Sequence, residues 1–313
     1  MHLKTSHNQL IAYETTGPIN GIPAIFIHGG PGSECTENSK VFFDTRKWRT
    51  IYFDQRGCGS SEPRGIIENN NLSLTIKDME LLRQNFEMQR WLLFGGSWGS
   101  TVALRYAIEF PHRVMALVLR GIFLGSKGEI DSFIYDLKSK IPTQWKNLSS
   151  IPSLGEDDLL KRYCKAIFSN DRKLQIEAAK KWQEFESAAM MLTEKKQNSS
   201  KKNKHTKEME QKLIDRMRVH LHYLKNNCFL EKDEILNQVS VLENIPTVII
   251  QGQSDPICPP KTAEKLAKCM PWAKIIRIEN AGHSAYNKEI KRALVETLQQ
   301  FSREFKNEPS VKN

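Results

Sequence analysis

The feature that most constrains this chain is the pentad Gly95-Gly96-Ser97-Trp98-Gly99, entered directly from the apolar run Trp91-Leu92-Leu93-Phe94. A segment with helical spacing, Thr101 to Phe110, follows. Apolar run, Gly-x-Ser-x-Gly and helix predict a buried strand that turns sharply into a helix with the serine at the turn. Glycines two before and two after Ser97 are needed because any side chain there would collide with the neighbouring strand or helix. The Ser97 hydroxyl then stands above a helix N-terminus, whose free N–H groups favour developing negative charge. Ser97 is therefore a candidate nucleophile. The pentad alone would also suit a glycine-rich surface turn, so the rest of the chain has to decide.

Further short apolar runs recur on either side. Residues 3–16 alternate polar and apolar around Asn8 and predict an opening β-hairpin. Pro23 to Ile27, Arg49 to Phe53 and Ala116 to Leu119 read as buried strands, and Thr75 to Phe86 as a helix with apolar Ile76, Met79, Leu82 and Phe86. Strands that are apolar on both faces and alternate with helices predict a parallel sheet covered on both sides. From 125 to 237 the pattern changes to helical segments, Ile130–Leu137, Leu159–Phe168, Leu174–Met191 and Leu213–Leu224, with no buried strand. The alternation resumes with strands at Pro246–Ile250 and Ala273–Ile278, a helix at Lys261–Met270 and a last helix at Lys288–Phe305. The expected organisation is a core from 1–124 and 238–313 interrupted by a helical cap at 125–237. Within the cap, Glu194 to Lys212 is dominated by lysine and predicts a solvated loop, and the tail 306–313 is polar.

Composition narrows the function. At 313 residues, 39% hydrophobic, the chain can bury a full core. A formal net charge of +10 could attract an acidic partner, but no arginine/aromatic stripe or nucleic-acid motif accompanies it. The charge therefore reads as surface charge, with no nucleic-acid partner expected. The cysteines, Cys35, Cys58, Cys164, Cys228, Cys258 and Cys269, form no C-x-x-C pair. No zinc site, disulfide framework or other metal is expected, and a reducing compartment suits them. No signal-peptide core and no run of membrane-spanning length is present, so the expectation is a cytoplasmic protein without a membrane partner.

Three residues stand just past the ends of predicted parallel strands: Ser97, Asp255 in Gly252-Gln253-Ser254-Asp255, and His283 in Ala281-Gly282-His283-Ser284. Sites in open α/β sheets form at that edge, and the chain order Ser, Asp, His suits a strand-turn-helix nucleophile. A serine needs an imidazole to take its proton, and the imidazole needs a carboxylate to fix its tautomer and stabilise its cation. Taken singly, Asp255 could be a turn residue before Pro256 and His283 a surface histidine. Their joint placement favours catalysis. His28-Gly29-Gly30-Pro31 follows another strand, where an N–H of Gly30 would pair with that of Trp98 as an oxyanion hole, and His28 would brace the loop.

Several stretches together resemble the proline iminopeptidases of the α/β-hydrolase fold: His28-Gly29-Gly30-Pro31-Gly32, Asp54-Gln55-Arg56-Gly57-Cys58-Gly59, Gly95-Gly96-Ser97-Trp98-Gly99-Ser100, Leu117 to Leu124 and Ala281-Gly282-His283-Ser284. The resemblance implies a mostly parallel, doubly wound sheet with an inserted helical cap. It also implies release of N-terminal proline from small peptides with a free N-terminus, without a cofactor or metal. In that family cap carboxylates bind the substrate's amino terminus. Trp182-Gln183-Glu184-Phe185-Glu186 matches one such segment and implies that role for Glu186. Arg218-Val219-His220-Leu221-His222-Tyr223 matches the other, but His220 stands where the family has glutamate. Glu184 is a candidate substitute for the missing carboxylate. An esterase or amidase of altered specificity is the alternative that His220 leaves open, and a non-catalytic binding protein on the same scaffold is a further one. Oligomeric state does not follow from these residues.

Overall fold

A computed structural model describes residues 1–193 and 206–307. Most of the lysine-rich stretch, from Glu194 to His205, lies outside the described residues, as does the tail from 308 onward. Among the described residues, eight strands form one sheet in the order β1-β2-β4-β3-β5-β6-β7-β8. The expected hairpin is β1 (His2–Lys4) and β2 (Leu10–Thr16), joined by a turn in which His7 and Asn8 take positive φ. The remaining strands are β3 (Ile22–Ile27), β4 (Trp48–Phe53), β5 (Trp91–Ser97), β6 (Val114–Ile122), β7 (Thr247–Gly252) and β8 (Lys274–Ile278). β2 meets β4 antiparallel, and every pairing from β4 to β8 is parallel. From β3 the chain first steps to β4 on one side and then returns to β5 on the other. The crevice between the ends of β3 and β5 is thus the topological switch point, where ligands bind in such sheets.

Alternation along the strands builds two apolar layers. Ile25, Ile27, Leu93, Leu117, Leu119 and Ile249 face one side, and Ala24, Phe26, Leu92, Phe94, Val118 and Ile250 face the other. On the first side pack α1 (Leu72–Asn85), through Ile76, Met79 and Leu82, and α2 (Trp98–Glu109), through Val102 and Ala103. Asn71 starts α1 by accepting the Leu74 N–H at 2.9 Å.

Between β6 and β7 the chain forms α3 (Lys127–Tyr135), α4 (Pro142–Ser149), α5 (Leu159–Ile167), α6 (Arg172–Met191), α7 (Lys207–Lys225) and α8 (Glu234–Gln238), with no strand among the described residues there. Asp158, Asp171 and Thr206 cap α5, α6 and α7 with side-chain acceptors. α4 was not foreseen: it is eight residues long, starts with Pro142 at its first position and buries little beyond Leu148, so its periodic signal is weak. These helices share an aromatic cluster in which Tyr163 and Trp182 meet edge-on at 5.0 Å and Phe133 meets Phe185 at 5.6 Å. α7 also reaches the sheet layer, where the Tyr223 ring lies 5.0 Å from that of Trp98 and its hydroxyl donates to Asn70 Oδ1 at 2.9 Å. After β7, α9 (Pro260–Cys269) joins the first layer through Ala263 and Leu266. α10 (Lys288–Asn307) covers the second with Ile290, Ala293, Leu294, Leu298 and Phe301, an i, i+3, i+4 stripe.

Candidate active site

Ser97 ends β5 and precedes the first turn of α2 with φ 56 and ψ −129, a conformation few side chains adopt. The local sequence permits it. A Cβ on Gly95 would run into the Gly99 carbonyl, and one on Gly99 into the Ile27 carbonyl of the adjacent strand. Strand and helix can therefore approach only over glycine. The Ser97 hydroxyl sits 4.0 Å from Cys258 Sγ and, among the described residues, makes no hydrogen bond to His283.

His283 and Asp255 are joined, the imidazole Nδ1 lying 2.7 Å from Asp255 Oδ2, with both residues buried. The other carboxylate oxygen accepts the backbone N–H groups of Ile257 at 2.9 Å and Cys258 at 2.8 Å. Asp255 is thus fixed on both oxygens. An ionised carboxylate can only accept, so Nδ1 carries the hydrogen and Nε2 holds a lone pair. Arg120, on β6, makes use of it: Nη1 lies 3.3 Å from Nε2 and donates to the His283 carbonyl at 2.7 Å. Gly121 makes room for this pair, since a Cβ there would sit 3.1 Å from His283 Cε1 and 3.4 Å from Asp255 Oδ2.

The loop after β3 lies against the serine. A Cβ on Gly29 would stand 3.5 Å from Ser97 Cβ, so the backbone passes close to the hydroxyl. Gly30 has φ +116 and leads into Pro31 through a cis bond. His28 braces the loop from inside: its Nδ1 is 2.8 Å from the Gly29 carbonyl and its Nε2 accepts the Gln55 N–H at 3.0 Å. Burial pushes its pKa below the ordinary histidine value. Gln55 then bridges loop and elbow, donating from Nε2 to the His28 carbonyl at 3.0 Å and accepting the Trp98 indole N–H at 2.8 Å. The neighbouring Arg56 is anchored by a buried two-bond ion pair to Asp78 at 2.5 and 2.7 Å. The Asp-Gln-Arg-Gly run is therefore the internal scaffold of the site and takes no part in lining its cavity.

A cavity of about 450 Å³ joins the sheet edge to the helices above it. Its walls include Gly30, Ser97, His283, Glu186, Arg216 and His220. Glu186 and His220 thus share one chamber with the serine. Glu184 does not: it is exposed and accepts from Asn147 Nδ2 on α4 at 2.8 Å. Two residues along a helix is about 200° of rotation, so Glu184 and Glu186 face opposite ways. His220 Nδ1 lies 3.0 Å from the Pro31 carbonyl, which fixes the hydrogen on Nδ1 because a carbonyl only accepts. Nε2 is then an acceptor, 3.4 Å from Glu186 Oε1, with no hydrogen-bond partner among the described residues. Burial pushes the His220 pKa down, Glu186 opposing and Arg216 assisting, so it is neutral at neutral pH. Glu186 accepts the Trp182 indole N–H at 3.2 Å on Oε1 and pairs through Oε2 with Arg216 Nη2 at 2.7 Å.

Sequence reasoning passed over Arg120, Cys258 and Arg216. Arg120 lay inside a matched stretch, and Cys258 follows Asp255 by three residues. Arg216 stands four residues before His220, hence on the same helix face, a spacing that could have flagged it.

The sheet order, the turn at Ser97 and the residues gathered at the strand ends define an alpha/beta hydrolase. Residues 23–289 match the alpha/beta hydrolase fold family. A carboxylesterase of the thaumarchaeon Nitrososphaera gargenis superposes with a TM-score of 0.64 at 13% identity, covering 97% of this chain and all of that one, a likeness of fold. Closer in sequence are a probable proline iminopeptidase of Leptolyngbya boryana, 37% identical over 96% of this chain and 92% of its own, and the proline iminopeptidase of Arabidopsis thaliana, 36% identical over 94% and 77%. The chain belongs to the proline iminopeptidase family.

Proposed function

We propose that this protein is a serine aminopeptidase that releases N-terminal proline, or a similar residue, from small peptides through an acyl-enzyme. The observation that carries the reading is one cavity lined both by Ser97 and His283, whose imidazole Asp255 holds from behind, and by a two-acceptor corner made of Glu186 and His220. Ser97 Oγ turns from Cys258 towards His283 Nε2, taking the lone pair over from the 3.3 Å contact of Arg120 Nη1, which keeps its bond to the His283 carbonyl, and attacks the first peptide carbonyl. Catalytic hydrogen bonds often tighten only when substrate binds. His283 takes the hydroxyl proton and delivers it to the leaving amine, while Asp255 stabilises the imidazolium. The Trp98 N–H at the start of α2 and the Gly30 N–H hold the oxyanion. Water, deprotonated by His283, then releases the acyl group. The helices from 125 to 237 act as the cap. There a protonated proline nitrogen has two hydrogens to donate, one to Glu186 and one to the His220 Nε2 lone pair.

The test is hydrolysis of a panel of aminoacyl-4-nitroanilides by wild type and Ser97→Ala. Proline should lead the panel, and the variant should lose activity by several orders of magnitude while keeping its fold. Near-wild-type turnover by Ser97→Ala would remove Ser97 from the mechanism.

A further inference from the structure

Arg216 sits on α7 at the cavity wall, and its guanidinium Nη2 lies 2.7 Å from Glu186 Oε2. The pair is partly shielded: Glu186 retains 16% of its side-chain exposure and Arg216 33%. Arg216 Nε is buried and makes no hydrogen bond among the described residues, so this ion pair is the contact that orients the guanidinium. His220, 3.4 Å from the same carboxylate, is neutral. The corner thus holds one negative and one positive charge, which cancel. An ammonium entering it meets a carboxylate already paired with a cation, and it brings a like charge beside Arg216. A group of the same shape without charge meets neither penalty. Partly shielded charges at such separations are felt strongly, because little water screens them.

We propose that Arg216 is a specificity-determining residue that competes with the substrate's amino group for Glu186 and widens the acyl specificity to uncharged rings of proline's size. The proposal rests on the aminopeptidase reading above, in which Glu186 receives the substrate's amine. The hydrolysis itself is the same for both acyl groups, since the reacting carbonyl is unchanged.

The experiment compares kcat/KM for proline 4-nitroanilide and for cyclopentanecarboxylic acid 4-nitroanilide, which replaces the ring N–H with CH2. The wild type should cleave both, with a ratio within about tenfold, one decade being 1.36 kcal/mol. Arg216→Met, which keeps an apolar stem without the charge, should raise the ratio in favour of proline at least tenfold, and Arg216→Gln should do likewise. Arg216→Lys keeps a cation and should stay near the wild-type ratio. Adding Glu186→Gln to Arg216→Met should abolish the gain. Labelling of Ser97 by a fluorophosphonate shows which variants retain a formed site, and the ratio is read only in those. A ratio unchanged within twofold in both uncharged variants overturns the role of Arg216 and leaves the aminopeptidase reading standing. Cleavage of neither substrate by a wild type that labels normally overturns that reading, and this one with it.

Discussion

Gln55→Leu is the substitution that most directly tests how the core scaffold holds the site. Gln55 is buried and stands outside the cavity wall, so it touches no substrate. Its side chain accepts the Trp98 indole N–H at 2.8 Å and donates to the His28 carbonyl at 3.0 Å. Leucine fills a similar volume but offers neither bond. The indole N–H, on a fully buried tryptophan, and the buried His28 carbonyl each lose a side-chain partner. Leaving a buried polar group unsatisfied costs about 1–3 kcal/mol, so two amount to roughly 2–6 kcal/mol. That is a large part of the about 5–15 kcal/mol that holds a typical domain together. Gln55→Glu should destabilise at least as much at neutral pH, because an ionised carboxylate still accepts from the indole but is a buried charge set against the His28 carbonyl. Urea unfolding measures the stability. Steady-state kinetics with proline 4-nitroanilide should show kcat falling more than KM rises, since the backbones carrying the Gly30 and Trp98 N–H groups are the ones loosened. A Gln55→Leu protein within about 1 kcal/mol of wild type, with unchanged kcat, would refute the bridging role.

Glu186→Gln should lower kcat/KM for a free-amine substrate by about 1.5–3 kcal/mol, the range of a charge-assisted hydrogen bond, and leave an N-acylated or ester substrate nearly unaffected. Equal losses on both substrate types would defeat amine recognition by this residue. Stability should be pH-dependent on the acid side. His28, His220 and His222 all have pKa values pushed below the ordinary 6.5, mainly by burial. The unfolded chain binds more protons between the lowered values and 6.5, so stability is full above that pH and falls below it. Urea midpoints that stay level from pH 8 down to about pH 5 would contradict this. Gly121→Ala should reduce kcat, because φ +55 and the 3.1 Å approach to His283 Cε1 leave no relaxed place for a methyl group; wild-type kcat would show that the loop yields freely.

What could be read from the sequence follows physical lines. The core strands were visible because each is buried on both faces and reads as an unbroken apolar run, as in Ala24–Ile27 and Leu92–Phe94. The elbow was visible because only glycine permits the approach of Gly95 to Gly99. The edge strand β8 carries exposed Lys274 and Arg277, and Ile275, Ile276 and Ile278 between and after them still mark it as a strand. Long-range pairings left no such mark. Gln55 with Trp98, Arg216 with Glu186 and His220 with Pro31 are separated by 43, 30 and 189 residues, and nothing local announces them. Glu184 and Glu186 differ by two residues, and only the rotation of α6 separates a surface carboxylate from one in the cavity.

His220 shows why a departure from a family pattern has to be judged in place. As a substitute for glutamate it looks like the loss of a carboxylate. Its two nitrogens have separate surroundings. Nδ1 donates to the Pro31 carbonyl and so ties α7 to the loop that carries Gly30. An ionised glutamate has no hydrogen to give there, and it would set a negative oxygen against a carbonyl. Nε2 faces Glu186 as a neutral acceptor. On the aminopeptidase reading, the histidine therefore retains one of the two acceptors a proline nitrogen needs, while lowering the negative charge of the corner by one. Arg216 lowers it by one more. On that reading the geometry for receiving an amine is kept, and the electrostatic preference for a charged one is what the two residues together would remove.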